Sequence, residues 1–268
     1  MISLKRNKYG QFMYANGLRK GKWVYSPDHP EFKLSRSKFD DFMSCKRCFY
    51  LDRVLGIKSP GLPSWALNSA VDELLKHEFD FYRSKDETHP VLDKNGYGYI
   101  KPFNHEKIDQ YRDALHGGLQ YKLPNSNILL TGGIDDLWIN TKNNKVVIAD
   151  YKAQAKEKEV AIDGYLSDVF HQGYKKQLEF YAYLLEKNSF SVDDTGFFYV
   201  ANGRTNYDMF EGSLKFDIHV IPYQLNLEWI EPALDEMVKC LNSKIIPEST
   251  PHCENCAFNS EVLKLADN

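Results

Sequence analysis

Residues 131–154 read TGGIDDLWINTKNNKVVIADYKAQ. The apolar residues on either side of Thr141-Lys142-Asn143-Asn144 predict two strands, Ile128 to Asn140 and Lys145 to Ala153, around a polar turn. If residues 141–144 form the loop, Asn140 pairs with Lys145 and Asp135 falls opposite Asp150. If only Asn143-Asn144 turns, Asp135 meets Lys152 instead. Side chains two apart along a strand share a face, so either register gathers Asp135, Asp150 and Lys152 on one side. Opposed residues have Cβ atoms about 5 Å apart. Two carboxylates that close repel each other unless a cation lies between them. Lys152 supplies one positive charge, and hard oxygen ligands suit Mg²⁺ or Mn²⁺. An exposed hairpin with a charged outer face would account for one acid and one lysine. It accounts less well for Asp150 closing the apolar run Val146-Val147-Ile148-Ala149.

Downstream, a helix is expected from about Val169 to Lys187, with Gln177 and Tyr181 four apart and hence on one face. His171 on that helix reads as a surface residue. Three stretches then stand in order: Gly132-Gly133-Ile134-Asp135, Ile148-Ala149-Asp150-Tyr151-Lys152, and Gln177-Leu178-Glu179-Phe180-Tyr181. Together they resemble the PD-(D/E)XK nuclease superfamily, above all its RecB-like branch, which includes the CRISPR-adaptation nucleases and the AddB nuclease domain. A lone D-x-K carries little information, whereas three motifs in order on the expected elements are specific. The resemblance implies an α/β, restriction-endonuclease-like core: a mixed β-sheet flanked by helices. It also implies catalytic roles for Asp135, Asp150 and Lys152, and nucleic-acid contacts from Gln177 and Tyr181.

The resemblance reaches back to about Ser35, a plausible N-cap for a helix carrying Phe39, Phe42 and Met43. That helix runs into Cys45-Lys46-Arg47-Cys48-Phe49-Tyr50, and RecB-like chains have a cysteine followed by an aromatic pair there. A second helix is expected from about Ser64 to Arg83, with an apolar stripe of Leu67, Val71, Leu74, Leu75 and Tyr82. The family carries a G-x-x-x-H motif on this helix, but the matching residues here run from Asn68 to Asp72, without the glycine or the histidine. Asp72 occupies the ligand position and suits a hard cation, while His77 has the family's residue type. They are five apart, so on a helix they point about 140° from each other. His77 also has a partner within reach in Glu73, one turn earlier.

Two C-x-x-C pairs, Cys45/Cys48 and Cys253/Cys256, lie about 200 residues apart and could complete one Cys₄ site. Their spacing alone favours zinc. The resemblance implies a 4Fe–4S cluster, which is the group expected here with zinc as the alternative, because Cys45 and the Cys253/Cys256 pair occupy family-like positions. RecB-like chains, however, use one N-terminal and three C-terminal cysteines where this chain has two and two. Cys240 reads as a small buried hydrophobe.

The 268-residue chain is 43% hydrophobic and 26% charged, as a soluble globular protein would be. No apolar run approaches the ~20 residues that cross a membrane. The first residues lack the apolar core of a signal peptide, which predicts a cytoplasmic location. The net charge is −3, so binding to a polyanion needs local basic patches. Lys5, Arg6, Lys8, Arg19, Lys20 and Lys22 precede the first acid, with Tyr9, Phe12, Tyr14 and Trp23 among them. This is the composition of a stacking and phosphate-binding surface, or of a β-arm with a solvated face. Residues 84–103 read as a long surface loop. A short helix from His105 to Leu115 is expected to end at Gly117-Gly118. Strands at 196–200 and 214–220 and a helix at 226–241 complete the core. Lys156-Glu157-Lys158-Glu159 reads as a solvated segment.

These readings combine into a single nuclease-like domain over 1–268. Residues 1–34 would form an N-terminal arm, and 35–60 with 241–268 a metal-binding lobe made by the two ends. The expected activity is Mg²⁺- or Mn²⁺-dependent hydrolysis of DNA phosphodiester bonds, with Asp72, Asp135 and Asp150 as ligands. A non-catalytic nucleic-acid-binding or assembly module with the same fold is the alternative, which the missing histidine favours. No phosphate-binding Gly-Lys-Ser/Thr loop is present, so a helicase, recombination or defence partner would be a separate chain.

Overall fold

The computed structural model describes residues 4–61, 66–157 and 160–266. Its elements begin with β1 (Phe32–Ser35), α1 (Arg36–Ser44), α2 (Lys46–Arg53), α3 (Ala66–Lys85), α4 (Pro90–Lys94), β2 (Ile100–Pro102), α5 (Ile108–Arg112) and β3 (Leu119–Lys122). There follow β4 (Ile128–Gly132), β5 (Asp136–Asn140), β6 (Lys145–Gln154), α6 (Ile162–Ser167), α7 (Gln172–Lys187), β7 (Thr195–Gly203), β8 (Phe216–Gln224), α8 (Ile230–Leu241) and α9 (Glu254–Ala266). The expected start of α3 at Ser64 and the pair Lys158-Glu159 lie outside the described residues.

The chain divides into two compact units. One comprises 1–64, 122–130 and 229–268; the other comprises 65–121 and 131–228. The second holds a five-stranded mixed sheet of order β2-β5-β6-β7-β8. The β5–β6 and β7–β8 pairs are antiparallel, and β6–β7 is parallel. A parallel pair needs a crossover, and α6 and α7 supply it. The mixed α/β architecture expected from the sequence is therefore present.

Alternation along β6 sends its two faces to different helices. Val147, Ala149 and Tyr151 join Leu75 and Phe79 of α3 in a core with Trp138, Phe197 and Tyr199. On the other face, a side chain at Gly196 would meet both Leu178 of α7 and Ile148, so α7 packs there. The buried stripe of α3 is Leu75, Phe79 and Arg83, spaced four apart, and Leu67 and Leu74 are exposed. That corrects the expected stripe at Leu67 and Leu74, while Leu75 and Val71 face the core as expected. An arginine takes a core position because a buried carboxylate awaits it.

The expected continuous strand from Ile128 to Asn140 is broken at 133–135, and β4 belongs to a second sheet of order β1-β4-β3. The glycines make the break. A Cβ on Gly133 would lie 2.7 Å from the Ala114 Cα, and one on Gly132 2.8 Å from the Tyr181 ring. Residues 84–103 are likewise not a structureless loop. His89 caps α4 by accepting from the Val91 N–H at 3.1 Å, Pro90 opens the helix, and β2 pairs with β5. The helix expected to span His105 to Leu115 shortens to α5. Asp113 ends it by accepting the N–H groups of Leu115 and His116.

In the first unit, Phe39 and Phe42 of α1 are buried, and Phe39 stacks on Trp229 at 5.9 Å between centroids. Tyr50 of α2 donates to the Ser243 carbonyl, and Tyr25 to Asn242. Ahead of β1 the chain is mostly irregular and exposed, with Tyr14 95% accessible. Arg6 lies over Phe12, Lys8 over Tyr9 and Lys22 over Trp23, at 4.5, 5.0 and 5.3 Å.

Candidate active site and thiol cluster

The β5–β6 hairpin closes through the four-residue loop. Asn140 pairs with Lys145 and Asp136 with Ala149, which sets Asp135 at the next position, across from Asp150. Asp135 sits at the bend that Gly133 permits, just ahead of β5. Its carboxylate accepts the Tyr151 N–H at 2.8 Å, and its carbonyl accepts from Arg112 Nε at 3.1 Å. Burial first, and then the Asp150 carboxylate, push Asp135 up to about 7, against the pull of Lys152, the Tyr151 N–H and Lys76.

Asp150 is fully buried in the middle of β6. Lys152 Nζ lies against its Oδ2 in a buried ion pair, while Oδ1 has no hydrogen-bond partner among the described residues. The Lys152 ammonium balances the charge of this buried carboxylate, and the bare Oδ1 is the oxygen left to be satisfied. Burial acts to lower the Lys152 pKa, but Asp150 and Asp135 outweigh it and hold the ammonium above its usual value. The same ammonium lies 4.8 Å above the Tyr174 ring of α7.

Asp135 and Lys152 open onto a cleft of about 780 Å³, lined also by Asp72, Tyr151, Tyr174 and Gln177. Asp150 lies outside this lining. Asp72 is held by Lys76 at 2.6 Å, and its pKa is raised by burial and then by Asp135. His77, one of the two candidates on this helix, is exposed and pairs with Glu73 at 3.3 Å. Gln177 Nε2 donates to the Tyr181 hydroxyl at 3.4 Å, so the two share a face of α7 as expected. Gln177 reaches the cleft. Tyr181 is only 4% exposed, with its ring packed where Gly132 leaves room.

His171 is buried, which corrects the surface reading. Its Nδ1 is 2.9 Å from the Tyr165 carbonyl, and its ring lies between Tyr165 and Tyr174.

Sequence reasoning assigns no role to Asp136. It is fully buried and accepts from Arg83, from Arg112 at 2.7 Å, from the Tyr151 hydroxyl at 2.7 Å and from the Trp138 indole at 3.1 Å. Arg112 also grips Asp80 through two bonds of 2.9 and 2.8 Å. Through Arg112, this network fixes the backbone of Asp135. The doubled acid in Ile134-Asp135-Asp136 is its one trace in the sequence.

Among the described residues, only Cys45, Cys48, Cys253 and Cys256 bring candidate ligand atoms all within 4.8 Å of one another. Cys45 ends α1 and caps α2, and Cys253 directly precedes α9. Burial raises the Cys45 thiol, but the N–H groups near Cys48 and Thr250 and the neighbouring thiols bring it down to about 6. Cys48 is pushed up by burial and by the other thiols, and Cys256 rises to about 11, chiefly by burial. Four cysteines this close could hold a metal ion. Cys240 is buried on α8.

The donor sets answer what the resemblance implies. The unpartnered Oδ1 of Asp150, across from Asp135, is a hard oxygen ligand of the kind a divalent ion takes. The four thiols are close enough to share a metal. No described helix is long and apolar enough to cross a membrane.

The sequence model of the PD-(D/E)XK nuclease superfamily matches residues 67–260. No curated protein matches the chain. A solved structure described as a "putative exonuclease" from Eubacterium rectale is similar over 85% of this chain and 88% of that one, at 14% identity and a TM-score of 0.42.

Proposed function

The chain belongs to the PD-(D/E)XK nuclease superfamily, and on that premise we propose that it is a divalent-metal-dependent deoxyribonuclease of the RecB-like branch. The observation that carries this reading is the buried Asp150 carboxylate, paired with Lys152 through Oδ2 while its Oδ1 lacks a hydrogen-bond partner, at the position across from Asp135. Asp135 and Asp150, with Asp72, would hold Mg²⁺ or Mn²⁺. When bound, such an ion makes water a better nucleophile and offsets charge on the scissile phosphate.

The protein's own groups have separate tasks. The Tyr151 N–H and Arg112 hold Asp135 in place. Lys152, kept charged by its two acids, donates to the attacking water or to a phosphate oxygen as negative charge develops. Gln177 presents its amide to the cleft for a backbone contact, and Tyr181 orients that amide from beneath. The RecB-like placement is supported by this Gln–Tyr pair on one helix face and by the Cys48-Phe49-Tyr50 sequence on α2.

Charge distribution supports a polyanionic substrate. Six cations precede the first acid, Asp28, in a chain of net charge −3, and their aromatic neighbours are exposed. Incubation with circular and end-labelled linear DNA, with and without Mn²⁺, tests the reading. Metal-dependent cleavage of either substrate supports it. Intact DNA in every condition, from protein that binds Mn²⁺, would leave a binding module instead.

A further inference from the structure

We infer that the four cysteines hold a single tetrahedral zinc ion, in place of the iron–sulfur cluster that the sequence resemblance implies, and that this ion is what fixes α9. The inference concerns a site separate from the cleft and does not rest on the nuclease reading.

The first observation is the distance between sulfurs. Cys45 and Cys256 are 3.8 Å apart, and Cys48 lies 3.4 Å from both Cys253 and Cys256. All four sulfurs fall within 4.8 Å of one another. Zinc–thiolate bonds of about 2.3 Å directed to the corners of a tetrahedron separate the sulfurs by about 3.8 Å. In a 4Fe–4S cluster each thiolate binds a different iron at a corner of a cube, which spreads the sulfurs to about 6 Å. A disulfide would need about 2.05 Å. The site is therefore the size of one ion.

Helix geometry gives the same answer. Each C-x-x-C places its first cysteine just ahead of a helix and its second in the first turn, at α2 and at α9. The Phe49 N–H donates to the Cys45 carbonyl, and the Ala257 N–H to the Cys253 carbonyl, each at 3.0 Å, so both turns close identically. Two matched helix starts therefore offer two sulfurs each to a four-coordinate ion. Between the two common ions of an all-thiolate tetrahedron, Zn²⁺ binds more tightly than Fe²⁺.

The role follows from what α9 lacks. None of its described residues is buried, and Phe258, Leu263 and Leu265 are 70%, 60% and 77% exposed. Ahead of the helix, the Thr250 hydroxyl donates to the Ser44 carbonyl at 2.9 Å. With no apolar face packed, coordination at Cys253 and Cys256 is the anchor that keeps α9 against α2 within its unit.

The test uses the full chain, prepared anaerobically from cells supplied with iron and zinc, so that a labile cluster has every chance to survive. Elemental analysis is expected to give one zinc per chain, with no stoichiometric iron or acid-labile sulfide and no visible colour. A mercurial thiol reagent should release that zinc as the four thiols react, a measurement on the wild-type chain that needs no variant to fold. Cobalt exchanged into the site should show the visible bands of tetrahedral thiolate coordination, and Cys256→Ser should weaken or abolish them. Chelation should speed amide exchange across 254–266 at least tenfold while the exchange of α3 and α7 is unchanged. Stoichiometric iron with or without sulfide, or four freely reactive thiols with no metal, would overturn the zinc assignment. Unaltered exchange in α9 after complete zinc removal would overturn its role as anchor.

Discussion

The Asp135 carboxylate accepts the backbone N–H of Tyr151 at 2.8 Å, which ties the acid ahead of β5 to the residue that follows Asp150 on β6. Two carboxylates are thereby held near each other by the main chain before any cation is supplied. The electrostatic cost is visible in Asp135, whose pKa burial and Asp150 raise to about 7.

That shift has a definite sign. An unfolded aspartate titrates near about 3.9, while folded Asp135 keeps its proton to about 7. Between those values the folded chain binds more protons than the unfolded one, so stability falls as pH rises and levels off above the window. The metal-free wild type should lose melting temperature from about pH 4 to pH 7 relative to Asp135→Asn. Because a divalent ion must displace the same proton, Mn²⁺ affinity should rise over the upper part of that range. A difference between the two melting curves that does not change with pH would refute the assignment.

Asp136 should behave differently from its neighbour. Asp136→Asn leaves Arg83 and Arg112 buried against a neutral amide, and removing one partner of a buried ion pair costs about 3–5 kcal/mol. Urea denaturation should show a loss of that order for Asp136→Asn. Asp135→Asn should show none.

On α3 the two candidate ligands separate. Asp72 lines the cleft and feels the charge of Asp135, whereas His77 is exposed beside Glu73. Asp72→Ala is therefore expected to weaken Mn²⁺ binding and cleavage, and His77→Ala to be nearly silent. Calorimetric titration of both variants with Mn²⁺ would expose the reverse ranking if His77 were the ligand.

The basic arm gives a fourth expectation. Replacing Lys5, Arg6, Lys8, Lys20 and Lys22 by glutamine should weaken binding to single-stranded DNA. It should also reduce the slope of log affinity against log salt by about 0.7 for each phosphate that is no longer neutralised. Fluorescence anisotropy on an Asp150→Ala background avoids cleavage during the measurement. An unchanged slope would remove the arm from the substrate surface.

The hairpin was legible because a four-residue polar loop and period-two alternation fix a register, and Asp135 and Asp150 follow from it. The cysteines were legible for the same kind of reason: the C-x-x-C spacing survives whatever the chain does between the pairs. Other features were hidden by physics that leaves no period in the sequence. Asp135 and Asp136 look alike as letters, and only the two arginines arriving from α3 and α5 decide that Asp136 goes inward. The break at Gly133 depends on Ala114, which is distant in sequence. The short α4 and β2 are each under six residues, too brief for periodicity to declare them. His171 is polar by type, yet it is buried by a backbone carbonyl and two tyrosine rings.

The most direct measurement is the Mn²⁺-dependent cleavage rate of end-labelled DNA by wild type, Asp150→Ala and Lys152→Ala, each checked for fold by circular dichroism. Asp150→Ala should be inactive but folded, because the change removes a metal ligand and relieves its repulsion with Asp135. Lys152→Ala should retain Mn²⁺ binding and cleave ~10²-fold more slowly, or worse. Wild-type rates in both folded variants would contradict the account.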